Sequence, residues 1–259
     1  MKKIAVIGAG NMGSAIAASL VGTGYSVTCT AASQSTLDRI LSDYPDINVT
    51  TSNKDAVADA DIIILAVKPF IAPDVFAEIN NLIKPGTVIM SVIAALPIPD
   101  LCNILNAKKK NLKIIRVIPN TAIRLGKSVT FIASADDVEA SVMKEAEEIF
   151  NRSGKAFVIK EKDMGACCAL ASCGIAYFLR FIRAAAEGSV ELGLRANFAT
   201  QIAALTAEGA AALLANGSHP EVEIDKVTTP GGITIKGLNA LEANGFTNAV
   251  IEALRASCY

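Results

Sequence analysis

The sequence predicts an α/β protein. A doubly wound, largely parallel sheet occupies residues 1–160, and an all-α domain occupies residues 161–259. Three observations predict this. An apolar run, Ile4-Ala5-Val6-Ile7, meets Gly8-Ala9-Gly10-Asn11-Met12-Gly13 and then an Ala-rich helical pattern. Strand-like and helix-like segments alternate as far as about residue 160. Beyond Glu161 no clear strand signal remains, and long helical stretches rich in Ala and Gly take over.

The opening run has the length of a buried strand, and the three glycines that follow stand at G-x-G-x-x-G spacing. At that spacing Gly8 allows a tight turn, Gly10 lets the backbone approach a pyrophosphate, and Gly13 lets the helix pack closely on the strand. The N–H groups at the helix start, around Asn11 and Met12, then face the phosphates. The same spacing also occurs in plain strand-to-helix turns, but here both the strand and the helix that the motif requires are present.

Tyr25 to Thr30 is strand-like, and a helical pattern through Leu37, Ile40 and Leu41 follows. A short strand lies around Ile47-Asn48-Val49. Asp61 to Val67 is continuous and β-branched, as a strand buried on both faces of a parallel sheet should be, and Lys68-Pro69 ends it. A helix from about Pro73 to Leu82, a strand at Thr87 to Ser91, a helix from about Pro99 to Asn106 and a strand at Lys113 to Ile118 complete the alternation. Ser128 to Ile132, a helix around Val138 to Phe150 and a strand at Ala156 to Ile159 close the first part. The second part reads as helices over Met164 to Leu194, Phe198 to Ala215 and Phe246 to Ser257. Helices this small-sided expose apolar faces when alone, so the C-terminal part is expected to form a homodimer.

Hydrophobic residues make up 52% of the chain, charged residues 19%, and the formal net charge is −1. This balance offers no basic track for nucleic acid, and Lys108-Lys109-Lys110 reads as a solvated helix end. No signal peptide is recognisable and no apolar run is expected to span a membrane. None of the six cysteines sits in a C-x-x-C pair, so reduced thiols in a cytoplasmic setting are expected. The single histidine, His219, lies in a turn sequence, and no metal-ligand spacing appears.

The cofactor type is legible after the second strand. An acid there would hold the ribose 2′-hydroxyl of NAD, but Thr30-Ala31-Ala32-Ser33-Gln34-Ser35-Thr36 has none before Asp38. Neutral hydroxyl donors suit a 2′-phosphate instead, which favours NADPH over NADH. Ser33 also fits the N-cap of the next helix, and both roles can hold together.

Four motifs together resemble the pyrroline-5-carboxylate reductase family. They are Ile7-Gly8-Ala9-Gly10-Asn11-Met12, Ala66-Val67-Lys68-Pro69, Arg116-Val117-Ile118-Pro119-Asn120-Thr121, and Thr228-Thr229-Pro230-Gly231-Gly232-Ile233-Thr234. They keep the family's order across nearly the whole chain. The resemblance implies a Rossmann domain plus a helical dimerisation domain, with dimers often assembled into larger rings. It also implies that the C-terminal helices of one chain complete the site of its partner. By position, Gly8, Gly10, Asn11, Met12 and Gly13 would bind the cofactor, the first four cradling the pyrophosphate. Ser33 would meet the 2′-phosphate and Asn53 the adenosine end. Val67, Lys68, Pro69 and Ala94 would line the nicotinamide side. Gly231, Gly232, Ile233 and Thr234 would hold the substrate, a cyclic imino acid. Backbone N–H groups would grip its carboxylate, and the Thr234 hydroxyl, the catalytic candidate, would bond the ring nitrogen. Glu161 matches a further position near substrate.

The match breaks on the substrate side. Where the family opens its long helix with Ser-Gly-Ser-Gly-Pro-Ala-Tyr, this chain reads Ala171-Ser172-Cys173-Gly174-Ile175-Ala176-Tyr177. Arg180 and Arg183 are new, Lys226 replaces a frequent amide, and Ala95 replaces a usual Gly. Two readings follow: an active reductase of pyrroline-5-carboxylate or a related cyclic imine, or an NADP-binding paralogue with a regulatory role. A β-hydroxyacid dehydrogenase relative shares the architecture, but that family wants a lysine in the interdomain helix, and Leu170 to Leu194 has none.

Overall fold

The computed structural model describes residues 1–258, which divide into two compact units, Met1–Ser172 and Cys173–Tyr259, the second described here as far as residue 258. The first unit is built on one eight-stranded sheet: β1 (Lys3–Ile7), β2 (Ser26–Thr30), β3 (Asn48–Thr50), β4 (Ile62–Leu65), β5 (Val88–Ser91), β6 (Lys113–Ile118), β7 (Ser128–Ser134) and β8 (Gly154–Val158). Their spatial order is 3-2-1-4-5-6-7-8. All neighbours pair in parallel except β6 and β7, which are antiparallel. The strand order reverses between β1 and β4. In doubly wound sheets that reversal opens the crevice where ligands bind.

Helices α1 (Asn11–Ser19), α2 (Gln34–Asp43), α3 (Asn53–Ala58), α4 (Ala72–Ile79), α5 (Ile98–Ile104), α6 (Ala107–Lys110), α7 (Ala140–Asn151) and α8 (Met164–Cys167) accompany the sheet. Both faces are covered, and two apolar clusters result. Alternate residues of each strand feed one or the other: Ala5, Ile7, Ile63 and Leu65 one side, Ile4, Val6, Ile62 and Ile64 the other. This is why β4 is apolar at every position.

The helix caps follow from local chemistry. Ser33 Oγ accepts from Thr36 N at the start of α2, and Ser52 Oγ accepts from Asp55 N at the start of α3. The short helix α6 was expected to end in a solvated lysine run. Lys110 instead turns back onto Asn80, donating to its backbone carbonyl and its side-chain oxygen.

The second unit holds α9 (Gly174–Glu191), α10 (Ala196–Leu213), α11 (Pro220–Lys226), α12 (Ile233–Ala243) and α13 (Phe246–Ser257). Helix α10 packs on α9, and α13 on α12. Tyr177 Oη donates to the Ala253 carbonyl at 3.3 Å, and Phe181 meets Phe246 edge-on. His219 lies just before α11, exposed, where its Nδ1 accepts from Glu221 N.

Two expectations need correction. The stretch Met164 to Leu194 is not one regular helix: α8 passes through a π-helical segment, Cys168–Cys173, before α9 begins. Moreover, Glu161–Glu191 contains an 18-residue window of mean hydropathy 1.6, long and apolar enough to cross a membrane by length and composition alone. The error came from judging unbroken apolar runs. Alanine and cysteine raise the average without forming one.

Candidate active site

A cavity of about 790 Å³ opens at the carboxyl ends of β1, β2 and β4. The glycine loop forms its floor. Gly8 has φ +94°, and a Cβ there would meet Val67 Cγ1 at 2.7 Å and the Ala66 carbonyl at 3.1 Å. Only glycine tolerates both the backbone angle and the contact. A Cβ on Gly10 would meet nothing within 4 Å. That open flank lies on the cavity, as close approach of a pyrophosphate to the backbone requires. Gly10 precedes α1, whose first N–H groups have no side-chain cap. The donors and the space both fit a dinucleotide.

Gly8, Gly10, Asn11, Met12, Ser33, Asn53, Val67, Lys68, Pro69 and Ala94 all line this cavity. Gly13 does not. It is buried in α1, where a Cβ would sit 2.3 Å from the Gly8 carbonyl oxygen. Its place is therefore behind the loop, allowing helix and loop to touch, rather than on the cofactor. Among the further cavity residues that the sequence does not assign to the cofactor are Thr30, Glu78 and Arg124. Thr30 follows from register alone, since it ends β2 beside Ile7. Glu78 and Arg124 come from the far part of α4 and from a 3-10 turn, Thr121–Leu125, and carry no local motif.

Thr30 ties the loop down. Its carbonyl accepts from Ala9 N at 2.6 Å and its Oγ1 from Gly8 N at 3.2 Å. Its hydroxyl donates to Asn53 Oδ1 at 2.6 Å. On the nicotinamide side Val67, Lys68 and Pro69 leave β4, and Ala94 sits in the turn after β5. Its neighbour Ala95 has φ +57°, a left-handed conformation costly for any residue with a Cβ.

Glu161 Oε1 accepts from Ile98 N at 2.7 Å, at the start of α5, and from Arg116 Nη1 at 3.2 Å. Arg116 is buried, so this pair links β6 to the chain that follows the Ala94 turn. The Asn120 side chain is also spoken for: Oδ1 accepts from Ala122 N, and Nδ2 donates to the Ala171 carbonyl at 3.2 Å. A π-helical turn displaces carbonyls from regular pairing, and Asn120 satisfies one of them. The motif around Asn120 and the divergent segment around Ala171 are thus joined by one hydrogen bond.

In the second unit, Gly231 has φ +70° and Gly232 N donates to the Thr229 carbonyl at 2.9 Å. Gly232 stands at the N-cap of α12 with no side-chain cap. The first-turn N–H groups and the exposed Thr234 therefore face outward together, beside Ile233. Such an end attracts an anion.

All six cysteines are free thiols. Burial pushes Cys29 up to about 12, and it raises Cys102 and Cys167 as well, helped by Asp137 and Glu161 at the first and Asp163 at the second. Raised thiols hold their protons and are poor nucleophiles.

Residues 161–259 match the family described as "Pyrroline-5-carboxylate reductase dimerisation", and residues 3–95 match "NADP oxidoreductase coenzyme F420-dependent". Pyrroline-5-carboxylate reductase 2 of Dictyostelium discoideum is 38% identical over 98% of this chain and 90% of its own length. The chain belongs to the pyrroline-5-carboxylate reductase family. Pyrroline-5-carboxylate reductase 1 of the same organism is 39% identical over 98% of this chain, which spans 48% of that longer protein. The crystal structure of Plasmodium falciparum pyrroline carboxylate reductase with NADP bound superposes with a TM-score of 0.87. It is 29% identical and covers 99% of this chain and 95% of its own.

Proposed function

We propose that this chain reduces the cyclic imine of L-1-pyrroline-5-carboxylate to L-proline with NADPH, as an oxidoreductase of proline biosynthesis. The observation that carries this reading is the near full-length match to a pyrroline-5-carboxylate reductase, with the Pro230-Gly231-Gly232-Ile233-Thr234 loop intact. NADPH supplies the hydride. The protein's task is then position and electrostatics, because a protonated imine is already electrophilic.

Gly8, Gly10, Asn11 and Met12 hold the pyrophosphate, Ser33 the 2′-phosphate and Asn53 the adenosine end. Val67, Lys68, Pro69 and Ala94 line the nicotinamide side. The N–H groups of Gly231 to Thr234 bind the substrate carboxylate, the Thr234 hydroxyl orients the ring nitrogen, and Glu161 stands on the substrate side. Preference for NADPH over NADH rests on the absence of an acid between Thr30 and Asp38. Residues 161–259 serve as the dimerisation and substrate domain of a homodimer, with a larger ring of dimers as a further step of assembly. Six free thiols suit a cytoplasmic enzyme.

One observation favours a second reading. The segment that departs from the family, Ala171 to Ile175, overlaps the π-helical stretch, and such insertions are frequent at functional sites. A different cyclic-imine substrate, or a non-catalytic role, fits that change. The deciding experiment is NADPH oxidation by the purified protein with pyrroline-5-carboxylate, with NADH in parallel. Brisk turnover favouring NADPH is expected. Tight NADPH binding without turnover would overturn the first reading in favour of the second.

A further inference from the structure

Glu78 ends a hydrogen-bonded chain that crosses the cofactor cavity. Its Oε2 accepts from Asn53 Nδ2 at 2.8 Å. Asn53 Oδ1 accepts from Thr30 Oγ1 at 2.6 Å, and Thr30 Oγ1 accepts from Gly8 N at 3.2 Å. The chain therefore runs from α4, through the start of α3 and the end of β2, to the glycine loop.

Only one end of this chain sets its direction. An amide can present either its oxygen or its NH2 group to a neighbour, and a hydroxyl can donate or accept. Asn53 and Thr30 are both indifferent. The Gly8 N–H is a pure donor, yet Thr30 Oγ1 can accept from it whichever way Asn53 is turned. An ionised carboxylate, in contrast, accepts only. Glu78 accordingly requires the Asn53 NH2 group on its side. That places Oδ1 toward Thr30 and spends the Thr30 proton on it. The second Nδ2–H of Asn53 is left in a fixed orientation.

We propose that Glu78 is a positioning residue for cofactor binding: by fixing the Asn53 amide it presets one donor for the adenosine end of the dinucleotide. This rests on the cofactor reading above. Glutamine at position 78 would have the same shape but could face Asn53 with either end. The amide would then populate both orientations, and only the fraction in the original one would present that donor to the cofactor.

The test measures NADPH affinity directly, from cofactor fluorescence on the full chain without imine. Glu78→Gln is expected to raise the NADPH Kd about twofold, the factor for two equally populated orientations of which one is competent. Melting of the cofactor-free protein should stay within about 2 °C of the parent. Glu78→Met, which also removes the directing acceptor, should behave alike. In turnover assays the cofactor KM should rise while the imine KM does not. The decisive comparison is a double-substitution cycle. In an Asn53→Ala background, Glu78→Gln should leave the NADPH Kd unchanged, because Glu78 acts through the amide. An undiminished effect there would overturn the proposal, and so would unchanged affinity in Glu78→Gln while the parent binds NADPH. A parent that binds no NADPH would overturn the cofactor reading, and this inference with it.

Discussion

The two units bury their apolar residues differently. In the first, strands such as β4 are fully enclosed, and helices close both faces of the sheet. In the second, large side chains remain in the open: Phe178 is 68% exposed, Leu205 59% and Ile233 86%. Among the described residues of the second unit, only small ones, Gly174 and Ala186 of α9 and Ala199 of α10, are buried. One unit has a complete core; the other has half of one. Exposed apolar surface of this extent marks an interface rather than a finished surface. The membrane-like hydropathy of a window within Glu161–Glu191 fits the same contrast, since α9 leaves Phe178 and Leu179 exposed in the single chain.

The comparison can be broken most forcefully at Phe178. Because the side chain is already exposed in the single chain, Phe178→Asp should leave the second unit folded. In a two-fold interface each substitution counts twice. Losing an aromatic anchor of about 2 kcal/mol on each side then weakens the dimer on the order of 1000-fold. Sedimentation or light scattering should show monomers, turnover should collapse, and NADPH should still bind the first unit. A dimer that persists with full activity would mean that the exposed face is not the interface.

Thr234→Ala sharpens the contrast from the substrate side. Removing the hydroxyl proposed to meet the reacting nitrogen should cut kcat by about 100-fold. NADPH affinity should change less than twofold, since its proposed ligands belong to the other unit. Equal losses in both measurements would remove Thr234 from the substrate role. Ser33→Asp sets the corresponding test in the first unit. Aspartate caps α2 as well as serine does, so stability should hold. Its charge beside a 2′-phosphate costs about 2 kcal/mol, which lowers the NADPH-to-NADH preference roughly thirtyfold. Steady-state kinetics with both cofactors would read the shift, and an unchanged ratio would move the 2′-phosphate elsewhere.

Most of the first unit was legible from the chain because each signal there is local. Strand β4 announces itself by four consecutive apolar residues, and the glycine loop by spacing that the strand before it and the helix after it make meaningful. What escaped depends on distance. Glu78 lies on a helix nine residues beyond Pro69 and reaches the cavity only because α4 folds back beside α3. The π-helical turn at Cys168–Cys173 has the same helical periodicity to the eye as its surroundings. Its cause is tertiary: Asn120, some fifty residues earlier, takes up the Ala171 carbonyl. Short helices α11 and α12 were missed because seven and eleven residues between turn signals give too few periods to count.

The smallest effect concerns Ala95, and it bears on how far a complete core can impose a conformation. At φ +57° an alanine costs roughly 1 kcal/mol against glycine in the folded chain. The first unit tolerates this because the segment is anchored on both sides, by the buried β5 before it and by the hydrogen bond from Ile98 N to Glu161 after it. Ala95→Gly removes the strain but adds freedom to the unfolded chain, worth about 0.5 kcal/mol in the opposite sense. The net expectation is a gain of about 0.5 kcal/mol, or a rise in Tm of about 1–2 °C. Calorimetry on the two proteins would measure it, and the rise should appear in the transition of the first unit. A fall in Tm would mean that the left-handed turn is supported by contacts of the Ala95 methyl group. The Ala94 wall of the cavity would then be held by that side chain rather than by its two anchors.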